Sequence, residues 1–215
     1  MSNDIPEANP LRCAVLISGA GRTLKNLLDY KSAGRLTNVC FPLVVSSAST
    51  AAGLQYAELC NADAKVVERK EFDSDDAFSD AIYALIEQSQ CNFIVMAGFM
   101  RKLIIRPDWE NRVVNIHPSL IPSFCGPGFY GKKVHQAAID YGVKVSGCTV
   151  HFVTNQVDEG PIVLQKTVPV YSDDDADALA ARVLEVEFQA LPEALELIAE
   201  QRVTVVGRKT SIKNL

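Results

Sequence analysis

In the run Val113-Val114-Asn115-Ile116-His117-Pro118-Ser119-Leu120-Ile121-Pro122, an amide and an imidazole stand two residues apart at the end of an apolar stretch. Farther along, after a glycine-rich segment and another strand-like run, comes Asp158-Glu159-Gly160-Pro161. An amide, an imidazole and a carboxylate within reach of one cleft are the set needed to stabilise an oxyanion and move a proton. The apolar residues predict a buried strand, and its period of two sends Asn115 and His117 to the same face. Pro118 and Pro122 stop that strand, which leaves both side chains at the carboxyl edge of a sheet, where open α/β folds bind ligands.

Chemistry at a carbonyl passes through a tetrahedral intermediate whose oxygen becomes negative, and Asn115 and His117 are suitable donors to such an oxygen. Asp158 is the candidate to support the imidazole and shuttle the proton, directly or through a bound water. The competing reading of the three residues is a polar cluster satisfying itself at a strand end. His151, in an alternating strand, and His135, in a helical stretch, are of a kind that is usually structural. With only these three histidines and no ligand-like spacing, a catalytic metal is not expected.

A second candidate site is Gly19-Ala20-Gly21-Arg22-Thr23, which follows the strand-like Cys13 to Ser18 and opens a helical stretch carrying Leu24, Leu27 and Leu28. Backbone N–H groups at such a helix start favour an anion. A dinucleotide fingerprint would want a third glycine where Leu24 stands and an acidic residue where Ser46-Ser47-Ala48 ends the second strand. A single phosphate fits better than NAD.

The elements that must position these residues alternate. Strands are expected over 13–18, 39–45, 64–67 and 92–96, and helices over 51–61 and 76–88, which predicts a mostly parallel sheet with right-handed crossovers. After the Asn115/His117 strand, residues 123–132 are rich in glycine, proline and aromatics and read as a mobile loop that could close over substrate. Residues 133–141 read as a helix. Residues 147–153 alternate and 162–170 are β-branched, an antiparallel pair extending the sheet. Asp173-Asp174-Asp175 then caps a long helix reaching about Glu200 rather than binding a metal. The fold class is thus α/β, a Rossmann-like twisted sheet with helices on both faces, extended by a C-terminal antiparallel strand pair and a long helix. Residues 1–11 read as a frayed tail and 12–215 as a single domain.

At 215 residues, 48% hydrophobic and 22% charged, the composition is that of a globular protein with an ample core. The net charge of −5 and the lack of a basic block argue against a nucleic-acid surface. The six cysteines, at 13, 40, 60, 91, 125 and 148, lack Cys-x-x-Cys spacing and read as reduced thiols of a cytoplasmic protein. No signal peptide is expected, and no apolar run approaches the roughly 20 residues of a membrane helix.

The Asn-Ile-His-Pro-Ser-Leu-Ile-Pro motif, preceded by Met96-Ala97-Gly98-Phe99-Met100-Arg101 and followed by His151-Phe152-Val153 and Asp158-Glu159-Gly160-Pro161, resembles the phosphoribosylglycinamide formyltransferases, the folate-dependent transformylases of purine synthesis. The resemblance runs from about Arg12 to about Val205. It implies formyl transfer from 10-formyltetrahydrofolate to glycinamide ribonucleotide, with Asn115, His117 and Asp158 catalytic and His151 supporting. It places the substrate phosphate on Gly19, Gly21, Arg22 and Thr23, and the rest of the ribonucleotide against Glu187. It lines the folate pocket with Met100, Arg101 and Leu103 on one wall and Asn155 and Val157 on the other. The family frequently has Ser-Asn where Arg22-Thr23 stands here, and the 123–132 loop departs from the shorter form of many members, so contacts do not transfer there. Ile121-Pro122 matches a bond that can be cis, and the sequence leaves its isomer open. Relatives acting on water, methionyl-tRNA or an amino sugar nucleotide share the three residues, and a non-catalytic folate or nucleotide module is the other alternative. The short segment beyond the long helix and the start near Arg12 favour the small-substrate enzyme, as monomer or homodimer, without nucleic-acid or membrane partners.

Overall fold

The structure, a computed structural model, describes residues 10–213. Of the expected tail, residues 1–9 lie outside the described residues, whereas Leu11 is buried as the first residue of β1. The described residues pack as two compact units, one ending at Val114 and the other beginning at Asn115.

In the first unit, β1 (Leu11–Ile17) and β2 (Val39–Ser46) are almost wholly buried, as expected of strands covered on both faces. Parallel to β1 run β2 on one side and β4 (Phe93–Met96) on the other, and β3 (Asp63–Val66) pairs parallel with β2. Helix α1 (Arg22–Ser32) buries Leu24, Leu27 and Leu28, the leucines whose spacing predicted it. The helix expected over 51–61 is instead a single 3₁₀ turn, Ala52–Leu54, followed by the short α2 (Gln55–Leu59). The turn brings the buried Gly53 against the preceding glycine loop, a demand that a continuous helix would not meet. Helix α3 (Asp75–Gln88) is capped by Ser74, whose hydroxyl accepts from the Ala77 N–H.

The second unit opens with most of β5 (Val113–His117) and continues through α4 (Lys132–Tyr141), β6 (Val145–Phe152), β7 (Ile162–Pro169) and α5 (Ala176–Ala199). Asp175 caps α5 by accepting from the Ala178 N–H, and Asp174 takes a bidentate ion pair from Arg182 at 2.7 Å. The acidic run therefore serves a helix start. The strand expected over 147–153 is β6, buried after its first residue because it is an interior strand. It pairs antiparallel with β7, with an irregularity between Val150 and His151. A hairpin not foreseen from the sequence, β8 (Val203–Val206) and β9 (Lys209–Ile212), follows α5. Gly207, at φ 59°, opens its two-residue turn.

The seven-stranded sheet has the order β3-β2-β1-β4-β5-β6-β7. The chain therefore leaves β1 toward β2 and β3 and returns to β1's other side at β4. The carboxyl ends of β1 and β4 form the point where strand order reverses, the place where open sheets bind ligands. Among the described residues, no helix is long and apolar enough to cross a membrane.

Candidate active site

Asn115 and His117 leave β5 two residues apart, as the period of two requires. His117 is only 4% exposed. Its Nε2 lies 2.9 Å from the Phe124 carbonyl oxygen. A carbonyl can only accept, so the proton sits on Nε2 and donates to it. Nδ1 then faces the Asp158 carboxylate, 3.6 Å from Oδ2. That gap is too long for a direct hydrogen bond, but one atom can sit about 2.8 Å from both groups, to the side of the line joining them. The geometry suits a bridging water or a substrate oxygen.

Asp158 adopts φ 56°, a left-handed conformation uncommon for a residue with a side chain. The backbone around it explains how this is held. A Cβ on Gly160 would fall 1.7 Å from the Phe152 carbonyl oxygen, so only glycine lets the chain pass there. The Phe152 N–H in turn donates to the Pro161 carbonyl at 2.8 Å. Asp158 Oδ2 also accepts from the Gly126 N–H at 2.8 Å. The glycine-rich segment thus grips both candidate catalytic side chains through its main chain, His117 by the carbonyl of Phe124 and Asp158 by the amide of Gly126. Phe124 itself has φ 49°. The Ser119 hydroxyl steadies this turn by donating to the Ser123 carbonyl at 2.6 Å, and the bond Ile121–Pro122 is cis.

His151 completes the cluster from β6. Its Nδ1 donates to the Phe152 carbonyl at 2.9 Å, and burial, its main influence, lowers its pKa. The ring is therefore held neutral with a lone pair on Nε2, which lies 3.4 Å from Asn115 Nδ2 and 3.7 Å from Asp158 Oδ1. One Asn115 amide hydrogen is thereby directed to His151 and the other left for a ligand. The irregularity at His151 re-aims the side chain, a common use of a bulge beside a site. His135, from α4, is also buried and has its pKa lowered by burial first and by His117 second. Among the described residues, its Nδ1 has no hydrogen-bond partner.

In the first unit, Gly21 is in the left-handed region at φ 68° and caps α1 without any side-chain hydrogen bond. No acidic residue stands in the first turn. The loop is pressed from below: the Gly53 N–H donates to the Gly19 carbonyl at 3.0 Å, and a Cβ on Gly53 would meet Gly21 Cα at 2.8 Å. Arg22 is exposed and Thr23 half-buried. At the strand-order reversal, the Ser18 hydroxyl, after β1, accepts from the Met100 N–H, after β4, at 2.8 Å. Met100 is 54% exposed and Arg101 is exposed, whereas Leu103 is 3% exposed and turns its side chain into the core. Only the backbone of Leu103 can face a ligand.

Asn155 and Val157 are exposed on the β6–β7 connection that carries Asp158. Glu187 is half-buried on α5, and its charge, after burial, helps push the Cys148 thiol up to about 12. The structure therefore brings Asn115, His117, His151 and Asp158 together within the second unit. Sequence reasoning missed the main-chain groups of Phe124 and Gly126 and the supporting Gly53. No group of three or more His, Cys, Asp and Glu side chains among the described residues is placed to hold a metal ion.

A half-buried amide, a tautomerically fixed imidazole and a carboxylate thus stand together at the end of a strand in an α/β fold. The family model described as formyl transferase matches residues 11–195. The chain belongs to this family. It is 39% identical over 202 residues to the trifunctional purine biosynthetic protein adenosine-3 of Gallus gallus, spanning 93% of this chain but only 19% of that protein. It is 35% identical to the phosphoribosylglycinamide formyltransferase of Haemophilus influenzae, covering 89% of this chain and 88% of the relative. The structure of glycinamide ribonucleotide transformylase 1 from Symbiobacterium toebii superposes with a TM-score of 0.86 at 38% identity, over 95% of this chain and 94% of that one.

Proposed function

We propose that this chain transfers the formyl group of 10-formyltetrahydrofolate to the amine of glycinamide ribonucleotide, a step of purine biosynthesis. The observation that carries the reading is the arrangement of His117, anchored at Nε2 and open at Nδ1 toward Asp158, with Asn115 on the same strand. The similarity to proteins named for this reaction supports the choice of substrates.

The amine lone pair attacks the formyl carbon. A C–N bond forms as the carbonyl π pair moves onto oxygen. Asn115 Nδ2 and a protonated His117 Nδ1 donate to that oxygen. Asp158 takes the ammonium proton, directly or through a water held between it and Nδ1, and delivers it to the folate nitrogen. The bond from carbon to that nitrogen then breaks, leaving the formylated ribonucleotide and tetrahydrofolate. His151 acts behind Asn115 by fixing one amide hydrogen. No metal enters this scheme.

Gly19, Gly21, Arg22 and Thr23 take the phosphate, with amides of the uncapped helix start as donors and Arg22 as the charged contact. Glu187 holds the amine or ribose hydroxyls. Backbone groups of Met100, Arg101 and Leu103 receive the pterin edge, with Asn155 and Val157 as further folate-binding residues. Residues 12–215 work as one formyltransferase domain in this reading.

The test is conversion of 10-formyltetrahydrofolate, followed by absorbance, with glycinamide ribonucleotide or with water alone as acceptor. Rapid turnover only with the ribonucleotide is expected. Equal turnover without it would replace the reading by a deformylase, and none in either case would leave a relative with another acceptor or a binding module.

A further inference from the structure

The hairpin β8–β9 lies beyond the residues that the family model matches, and the chemistry above makes no use of it. It nonetheless reaches the segment that carries Asp158. The Thr210 hydroxyl donates to the carbonyl of Ile162, the first residue of β7, at 2.5 Å. Two residues before it, Arg208 at the hairpin turn lies 3.8 Å from the Glu159 carboxylate. The two contacts bracket Gly160-Pro161, and Asp158 immediately precedes Glu159.

That connection needs external support. Asp158 is left-handed without being glycine, and a lone residue in that region returns readily to a commoner conformation unless its surroundings oppose it. On the inner side the Phe152 amide holds Pro161 and the Gly126 amide holds the carboxylate itself. On the outer side the hairpin supplies the side-chain contacts. An Asp158 backbone relaxing by even a few tenths of an ångström would change the 3.6 Å separation from His117 on which a bridging atom depends.

We propose that Thr210, seconded by Arg208, is a positioning residue: the C-terminal hairpin braces the β6–β7 connection and so sets the carboxylate of Asp158 against His117. The proposal rests on the reading in which Asp158 moves the proton. Thr210 is the principal brace because its hydrogen bond is short and half-buried, whereas Arg208 and Glu159 are both largely exposed and such a pair is weak.

Thr210→Val keeps shape and apolar cover while removing the donor. In the full chain it should lower kcat about fivefold, the rate equivalent of one ordinary hydrogen bond, with both KM values within about twofold. Thr210→Ser should restore kcat, and Arg208→Gln should cost about twofold or less, an effect that disappears at high salt. Amide hydrogen exchange over residues 158–162 should be faster in Thr210→Val than in the unaltered protein, and normal again in Thr210→Ser. An unchanged kcat in Thr210→Val, a Thr210→Ser variant as slow as Thr210→Val, or a loss confined to KM would overturn the proposal. If the unaltered protein does not transfer formyl, the functional reading fails instead. Exchange then decides the brace alone, and unchanged protection over 158–162 would end it.

Discussion

Replacing His117 by asparagine and, separately, by glutamine separates the two imidazole nitrogens, because the asparagine amide overlays Nδ1 and the glutamine amide overlays Nε2. In the structure Nε2–H is committed to the Phe124 carbonyl at 2.9 Å, and Nδ1 is the nitrogen that looks toward Asp158 across 3.6 Å. If Nδ1 is the donor to the developing oxyanion, His117→Asn keeps a neutral donor in place while losing the charge and the anchor. A full oxyanion donor is worth about 2.7–4 kcal/mol, and a neutral donor supplies roughly half of a charged one. The loss in His117→Asn should then be about 1.5–2 kcal/mol, or about 10- to 30-fold in kcat. His117→Gln satisfies Phe124 and leaves the space facing Asp158 without a donor. It should lose the whole contribution, about 100- to 1000-fold in kcat. The assay is steady-state formyl transfer to glycinamide ribonucleotide at saturating folate, with KM for the ribonucleotide recorded to show that binding survives. A glutamine variant as active as the asparagine variant, or more so, would refute the assignment and make Nε2 the working nitrogen.

Arg22→Ala should raise KM for the phosphorylated acceptor about tenfold or more, as expected for one charge-assisted phosphate contact, with kcat little changed; an unchanged KM would place Arg22 in solvent. Gly53→Ala pushes a Cβ to 2.8 Å from Gly21 Cα, so it should raise the same KM without the kcat effect seen at His117, and a KM within twofold of normal would mean that the phosphate loop is set elsewhere. Burial lowers the pKa of His151 and His135 from the ordinary 6.5, so below about pH 6.5 the unfolded chain binds more protons than the folded one. Stability should therefore fall as pH drops from about 6.5 toward the folded values and level off beneath them; the decrease in Tm between pH 7.5 and 5.5 should be smaller in His135→Leu, and an equal decrease would remove His135 from the effect.

What could be read from sequence was what depends on neighbouring residues. Asn115 and His117 share a face because a strand alternates, and the cap at Asp175 follows from the acidic residues ahead of a periodic apolar run. The leucines of α1 announced its buried side in the same way. Asp158 is a different case: its residue type offered a carboxylate, but its closeness to His117 depends on how β5, β6 and β7 are arranged, which no local spacing shows. The contacts from Phe124 and Gly126 are made by peptide groups, which every residue possesses, and they leave no mark in residue types. Gly53 was passed over because its role is to be thin beneath Gly21, a requirement that appears only when the two backbones meet. The hairpin did leave a signal in Val203-Thr204-Val205-Val206-Gly207-Arg208-Lys209-Thr210-Ser211-Ile212, a β-branched run folding back at a glycine.

Since the grip of the glycine-rich segment on His117 and Asp158 is exerted by one carbonyl and one amide, neither contact depends on which side chains that segment carries. What must be kept is the path of the backbone, above all glycine at 126, where φ is 89°. The segment can therefore drift in sequence at an exposed position such as Pro127 while its two main-chain contacts stay in place.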